Sequence, residues 1–126
     1  AKDPVNVAGY VACNIARELV TIYHFSDIEQ LNPETDLLLD VRTPAEFAAG
    51  AIPGAQNIPL DELRDRLAEL PQDKTIYVYC RIGLRGYIAC RILSSHGFQC
   101  KNLSGGFLMY QRVLNEMPAL LKPEQF

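Results

Sequence analysis

A cysteine followed by two arginines within five residues is the feature of this sequence best suited to chemistry. The segment reads Cys80, Arg81, Ile82, Gly83, Leu84 and Arg85. It lies between a predicted buried strand and a predicted helix, and such a turn directs backbone N–H groups and a helix N-terminus towards an anion. The same field and the guanidinium of Arg85 favour the thiolate form of a nearby cysteine. Gly83 permits the left-handed backbone that so tight a loop needs. The loop therefore predicts a reactive thiolate, Cys80, in an anion-binding cradle.

The elements that must position this loop are strands alternating with helices. Apolar runs predict strands buried on both faces at 37–40 and 75–79, with shorter strands at 20–24 and 100–103. Helices are predicted at 3–18, 43–50, 60–70 and 84–97 and after the glycine pair at 105–106, with a tail after 118. Thr43 and Glu46, with Pro44 between them, have the spacing of a capping box.

This alternation predicts an α/β fold with a mostly parallel central sheet of four or five strands and helices on both faces. Ligands of such sheets bind beyond the carboxyl ends of the strands. Asp40 and Cys80 each follow a predicted strand, so the two side chains are expected at the same edge of the sheet.

Composition and charge exclude several classes of function. The chain has 126 residues, a mass of 14.1 kDa, a net charge of −3 and a pI near 5.3. Its length predicts one domain, and the absence of a basic excess argues against a nucleic-acid partner. There is no apolar run long enough to span a membrane and no signal peptide, which predicts a cytoplasmic protein without a membrane partner.

The four cysteines show no pattern of metal ligands. They are Cys13, Cys80, Cys90 and Cys100, with no C-x-x-C pair and no cluster at zinc spacing, so no metal is predicted. Cys90 and Cys100 are predicted to pack in the core. Cys13 lies on the first predicted helix, where it could be exposed, and a redox role for it stays open on the sequence.

Five segments in a fixed order make the sequence similar to the rhodanese-like domains, from about Leu37 to Gln111. They read Leu38-Leu39-Asp40-Val41-Arg42, Pro44-Ala45-Glu46-Phe47, Gly50-Ala51-Ile52-Pro53-Gly54-Ala55 with Asn57-Ile58-Pro59, the Cys80–Arg85 loop, and Leu103-Ser104-Gly105-Gly106. Ala51 stands where the family usually has a histidine, which is not a catalytic residue.

The resemblance implies a rhodanese-like fold and a sulfurtransferase activity. Cys80 would accept a sulfane sulfur as a persulfide and pass it to a thiol acceptor. The backbone of Ile82, Gly83 and Leu84, with Arg81 and Arg85, would hold an anionic donor such as thiosulfate, polysulfide or a coenzyme A persulfide.

Two supporting residues come from the same resemblance. By analogy, Asp40 and Arg42 order the neighbouring loops and do no chemistry themselves. Ordinary loop hydrogen bonds and ion pairs explain the two residues equally well.

The N-terminal stretch resembles the end of the reductase part of coenzyme A-disulfide reductase-like flavoproteins. The similar residues are Asp3-Pro4-Val5-Asn6, Gly9-Tyr10-Val11-Ala12 and Asn14-Ile15, and a helical linker is the alternative interpretation. Residues 1–24 are therefore predicted to end a preceding reductase region and 25–126 to form the rhodanese-like domain. The glycine pair at 105–106 makes no dinucleotide fingerprint. FAD and NAD(P)H, with coenzyme A as a further candidate, are expected in a parent protein outside this chain, with the flavoprotein reductase as a fused or separate partner.

Two other functions stay open on the sequence. Related folds use a cysteine-arginine loop in phosphatases and arsenate reductases, but there the loop is longer than the four residues between Cys80 and Arg85. A non-catalytic docking or regulatory module is the other alternative, although such modules often lack the cysteine.

Overall fold

A computed structural model of the chain describes residues 20–116. The helix predicted at 3–18, with Cys13, and the tail predicted after 118 lie outside the described residues. Among those described, no helix is long and apolar enough to cross a membrane.

The described part of the chain is built on one five-stranded sheet in which every pairing is parallel. The strands are β1 (Ile22–Tyr23), β2 (Asp36–Asp40), β3 (Gln56–Asn57), β4 (Thr75–Tyr79) and β5 (Gln99–Leu103), in the order β1-β5-β4-β2-β3. The α/β fold with a parallel sheet is thereby confirmed. Strand β4 lies in the centre, so the loop that follows it leaves from the middle of the sheet.

Four α-helices and two 3-10 segments connect the strands. The helices are α1 (Pro44–Ala49), α2 (Leu60–Leu63), α3 (Leu84–Ser95) and α4 (Gly106–Glu116), and the 3-10 segments are Phe25–Gln30 and Arg64–Glu69. Helix α1 begins with the predicted capping box, in which Thr43 and Glu46 bond to each other's backbone N–H groups.

Each face of the sheet has its own apolar core because successive residues of a strand point to opposite sides. Leu39 and Val78 pack on one side with Ala89 and Leu93 of α3. On the other side, Leu38 and Tyr79 form a cluster with Phe107 of α4 and others. Both strand predictions at 37–40 and 75–79 depended on burial of both faces, and the structure shows that burial.

The single amphipathic helix predicted at 60–70 is wrong. Helix α2 ends at Leu63, and the chain then winds as a 3-10 segment interrupted at Arg66, where φ is −121° and ψ is 18°. Side chains three residues apart eclipse in a 3-10 helix, which keeps Leu67 and Leu70 against the same core. Strand β3 and the 3-10 segment at Phe25–Gln30 were also absent from the sequence-based prediction.

Candidate functional site

The thiol of Cys80 lies directly after β4 and is bound by two backbone amides. Its Sγ accepts hydrogen bonds from the N–H of Gly83 at 3.0 Å and of Gly86 at 3.1 Å. Both donors belong to the beginning of α3, where the helix dipole is positive. Two N–H donors at a helix N-terminus stabilise negative charge on sulfur. Only 1% of the Cys80 surface is exposed, so the sulfur lies at the bottom of the loop.

Helix α4 anchors the outer side of the same loop. The N–H of Phe107 donates to the carbonyl of Cys80 at 2.8 Å, and the N–H of Leu108 donates to the carbonyl of Arg81 at 3.0 Å. In a trans peptide the carbonyl and the following N–H point in opposite directions. Fixing these two carbonyls therefore turns the next two N–H groups away from α4.

A glycine at position 106 makes this approach possible. Its φ is +64°, and a Cβ there would lie 2.4 Å from the carbonyl oxygen of Arg81 and 2.8 Å from that of Cys80. Any side chain would push the loop off the N-terminus of α4. This explains why the glycine pair at 105–106 belongs to the site without touching the thiol.

Asn102 supports the loop from the buried side. It lies on β5 with 7% of its surface exposed, and its Nδ2 donates to the carbonyl of Gly83 at 2.9 Å. Its Oδ1 faces Gly86, where an added Cβ would come within 2.1 Å of that oxygen. Asn102 thus contacts both residues whose amides bind the Cys80 thiol. Sequence reasoning missed it, since a single asparagine in a strand carries no signal of such a role.

Arg85 is engaged by a partner that the sequence did not reveal. Its Nη1 and Nη2 donate to the two carboxylate oxygens of Glu46 at 2.8 and 3.0 Å. Hydrogen bonds from Arg85 and from the backbone of Thr43 lower the pKa of Glu46 to about 2 although partial burial opposes the shift. Glu46 lies 39 positions from Arg85 in the chain, so local sequence gives no sign of this ion pair. The ion pair holds its guanidinium between the first turn of α1 and the beginning of α3.

Asp40 and Arg42 form a buried ion pair next to the loop. The two side chains are 0% and 4% exposed, with Nη2 of Arg42 at 2.7 Å from Oδ2 of Asp40. The same nitrogen donates to the carbonyl of Gly50, and the guanidinium lies 4.3 Å from the centre of the Phe107 ring. This geometry ties the β2 loop to α4 and fits the predicted positioning role. Neither side chain contacts the thiol in the described residues.

The outer surface of the loop is exposed and partly apolar. Ile82 and Leu84 are 62% and 49% exposed, and Arg81 is also exposed. In residues 20–116 no three His, Cys, Asp or Glu side chains are grouped so that they could hold a metal ion. The chemistry that this arrangement supports is nucleophilic attack by the amide-bound sulfur of Cys80 on a group that reaches it from the loop surface.

The sequence also matches a family profile described as "Rhodanese-like domain" over residues 26–112. The chain belongs to the rhodanese-like domain family. It is 42% identical over 80 residues to a sulfurtransferase of Allochromatium vinosum, covering 63% of this chain and 75% of that protein. It is accordingly a rhodanese-like sulfurtransferase domain.

Two solved structures of larger proteins contain a similar unit. Reduced CoADR-RHD from Bacillus anthracis is 49% identical with a TM-score of 0.78, over 92% of this chain and 21% of that one. An NAD-dependent persulfide reductase from A. fulgidus is 38% identical with a TM-score of 0.60, over 82% of this chain and 18% of that one. This chain therefore spans about a fifth of either protein.

Proposed function

We propose that this domain carries sulfane sulfur as a persulfide on Cys80 and delivers it to a thiol acceptor. The observation that carries the proposal is the pair of N–H groups, of Gly83 and Gly86, bound to the Cys80 sulfur. Two such N–H groups lower the free energy of a negatively charged Cys80 sulfur, both before it takes up the sulfane sulfur and after it has delivered that sulfur to the acceptor. The exposed loop residues form a rim above this sulfur, made of Arg81, Ile82 and Leu84.

In the proposed reaction the thiolate of Cys80 attacks the terminal sulfur of the donor. An S–S bond forms between Cys80 and that sulfur, and the bond between the sulfur and the rest of the donor breaks. The electron pair of the broken bond leaves with the donor remnant, which is sulfite when the donor is thiosulfate. An acceptor thiolate then takes the outer sulfur and returns Cys80 to its thiolate form.

The burial of Cys80 sets the kind of donor that can react. Because only 1% of the residue is exposed, the donor atom that Cys80 attacks has to enter the loop. A terminal sulfur atom is small enough to do so, and a bulky internal disulfide is not. The proposal therefore names thiosulfate, polysulfide or a coenzyme A persulfide as donor.

We further propose that the parent protein is a flavoprotein reductase that receives this sulfur. Support comes from the two similar structures, whose names describe a CoADR-RHD and an NAD-dependent persulfide reductase. FAD and NAD(P)H would bind to the reductase part. The present sequence has no glycine-rich dinucleotide fingerprint, and every step above uses the chain's own residues.

The deciding experiment is mass spectrometry of the intact chain after treatment with polysulfide. We expect a gain of one sulfur atom that maps to Cys80 and is released as thiocyanate by cyanide. Cys80→Ser should lose the adduct while keeping the circular dichroism of the wild type. A chain that remains unmodified by polysulfide, thiosulfate and coenzyme A persulfide would overturn the proposal in favour of a docking module. Cys80-dependent hydrolysis of an aryl phosphate would favour a phosphatase.

A further inference from the structure

The ion pair between Arg85 and Glu46 lies beside the amides that bind the Cys80 sulfur. Arg85 directly precedes Gly86, whose N–H donates to that sulfur at 3.1 Å. The first turn of α3 therefore carries both the guanidinium and one of the thiol-binding amides. The side chains of Arg85 and Glu46 are 34% and 29% exposed, so an anion that arrives from solvent meets the two charges together.

The Glu46 carboxylate is held in place by its own helix. Its Oε1 accepts hydrogen bonds from the N–H of Thr43 at 2.9 Å and from the Thr43 hydroxyl at 3.2 Å, as part of the capping box of α1. Arg85 binds the same carboxylate with Nη1 and Nη2. Because the cap fixes the carboxylate independently of Arg85, its negative charge stays next to the guanidinium when an anion approaches.

The arginines near the loop are largely balanced by carboxylates. Arg42 is paired with Asp40 at 2.7 Å, and Arg85 is paired with Glu46 at 2.8 Å. Arg81, on the exposed rim, forms no ion pair with a carboxylate in the part of the chain that the structure describes. These three positive and two negative side chains carry a net charge of +1.

This charge balance discriminates between anions. A guanidinium has five N–H donors, and the two that bind Glu46 leave others for a second anion. The Glu46 carboxylate repels that anion, and the repulsion is twice as large for a donor with two negative charges as for a donor with one. The carboxylate therefore disfavours the doubly charged donor more strongly.

We propose that Glu46 makes the domain prefer singly charged sulfane-sulfur donors, such as thiosulfonates and the persulfides of thiols, over doubly charged thiosulfate. The inference rests on the proposed function at Cys80 and adds to it the class of donor that the charged side chains select. Glu46 touches Arg85 and not the Cys80 sulfur, so it is a positioning residue and not a catalytic one.

Thiosulfate and methanethiosulfonate form a matched pair of donors for the test. Near neutral pH the first carries two negative charges and the second carries one, and both offer a terminal sulfur. With methanethiosulfonate the Cys80 thiolate forms an S–S bond to that sulfur, the S–S bond of the reagent breaks, and its electron pair leaves with methanesulfinate. Cyanide then takes the outer sulfur as thiocyanate, whose formation gives kcat/KM for each donor.

Glu46→Gln keeps the shape of the side chain and an oxygen that accepts from Arg85, and it removes the charge. We expect the ratio of kcat/KM for thiosulfate to kcat/KM for methanethiosulfonate to rise several-fold. Two unit charges roughly 10 Å apart, at an effective dielectric constant of about 20, change binding by about tenfold. Solvent screening of the partly exposed pair reduces this factor. The rise should shrink further as salt is added.

Three further variants separate charge from structure. Glu69→Gln removes the same charge from a similar fork with Arg66, on the 3-10 segment that precedes β4, and should leave the ratio unchanged. Glu46→Asp keeps the charge and should keep the wild-type ratio even if both rates fall. Glu46→Ala removes the charge together with the hydrogen bonds and should raise the ratio, so the test does not depend on one variant.

The outcomes distinguish this inference from the proposed function. An unchanged ratio in Glu46→Gln and Glu46→Ala, or an equal rise in Glu69→Gln, would overturn the role of Glu46 while leaving sulfur transfer intact. A merely structural role would lower kcat/KM for both donors together and would also leave the ratio unchanged. If neither donor adds a sulfur atom to Cys80 of the wild-type chain, the proposed function fails and the inference falls with it.

Discussion

The contact between Gly86 and Asn102 permits a quantitative test of how the thiol-binding amides are held. We consider Gly86→Ala alone, Asn102→Ala alone and the double substitution. The three atoms nearest to a Cβ at position 86 all belong to the Asn102 side chain, at 2.1, 3.1 and 3.6 Å. Asn102→Ala removes those three atoms. The steric cost of Gly86→Ala should therefore depend on whether Asn102 is present.

The expected free energies follow from three contributions. In the wild-type background, overpacking costs about 1–3 kcal/mol. Displacing Asn102 from the Gly83 carbonyl costs about 1 kcal/mol more, and alanine in a helix returns about 1 kcal/mol relative to glycine. Gly86→Ala should then destabilise the domain by about 1–3 kcal/mol in total. In the Asn102→Ala background only the helix contribution remains, so the same change should stabilise by about 1 kcal/mol.

Urea denaturation of the four proteins measures this cycle, and the rate of Cys80 alkylation reports on the amides themselves. The coupling energy should be about 2–4 kcal/mol, and the alkylation rate should change in each single variant because both disturb the Gly83 or Gly86 amide. An equal stability cost of Gly86→Ala in the two backgrounds would refute the reasoning. So would an unchanged alkylation rate in Asn102→Ala.

Three further predictions concern the charged residues around the loop. Asp40→Asn should lower the free energy of unfolding by about 3–5 kcal/mol, since it leaves the Arg42 charge buried without its partner; an effect near zero in urea denaturation would contradict a buried ion pair. The pKa of Glu46 falls from 4.5 to about 2 on folding, so its ionised form stabilises the domain above pH 4.5 and this contribution is lost as the pH falls towards 2. The difference in urea midpoint between wild type and Glu46→Gln should therefore be larger at pH 6 than near pH 2, and a constant difference would argue against the ion pair. Arg85→Lys keeps the charge but loses the two-pronged bond to Glu46, so steady-state kinetics with thiosulfate should show a several-fold higher KM, and unchanged KM and kcat would remove Arg85 from the site.

The sequence predicted those features of the fold and the site that depend on residues close together in the chain. The buried strands at 37–40 and 75–79 predicted a parallel sheet, and the spacing of Thr43 and Glu46 predicted the start of α1. The position of Cys80 after β4 followed from the alternation of strands and helices along the chain. These features depend on residues close together in the chain. A periodic pattern or a cap is visible at that range without knowledge of the fold.

The contacts that complete the site join residues far apart in the sequence. Arg85 meets Glu46 across 39 positions, and Asn102 reaches the Gly83 carbonyl across 19. Asn102 belongs to a strand whose neighbours are fixed only by the order of the sheet. No residue type or spacing along the chain could have predicted either contact, because both are consequences of tertiary packing.

The loop around Cys80 is held from two sides, by helix α4 and by Asn102, and this has a consequence for the proposed transfer. Helix α4 fixes the carbonyls of Cys80 and Arg81, and Asn102 fixes the carbonyl of Gly83. The fold thus positions the N–H groups that bind the Cys80 sulfur before any sulfur donor arrives. Little reorganisation of the loop is then needed when negative charge develops on that sulfur. Because the Cys80 sulfur lies at the bottom of this loop, a sulfur added to it would extend towards the exposed rim at Ile82. An acceptor thiol should then attack the outer sulfur, and a short acceptor such as a reductase cysteine could do so only if the rim itself is brought against the reductase.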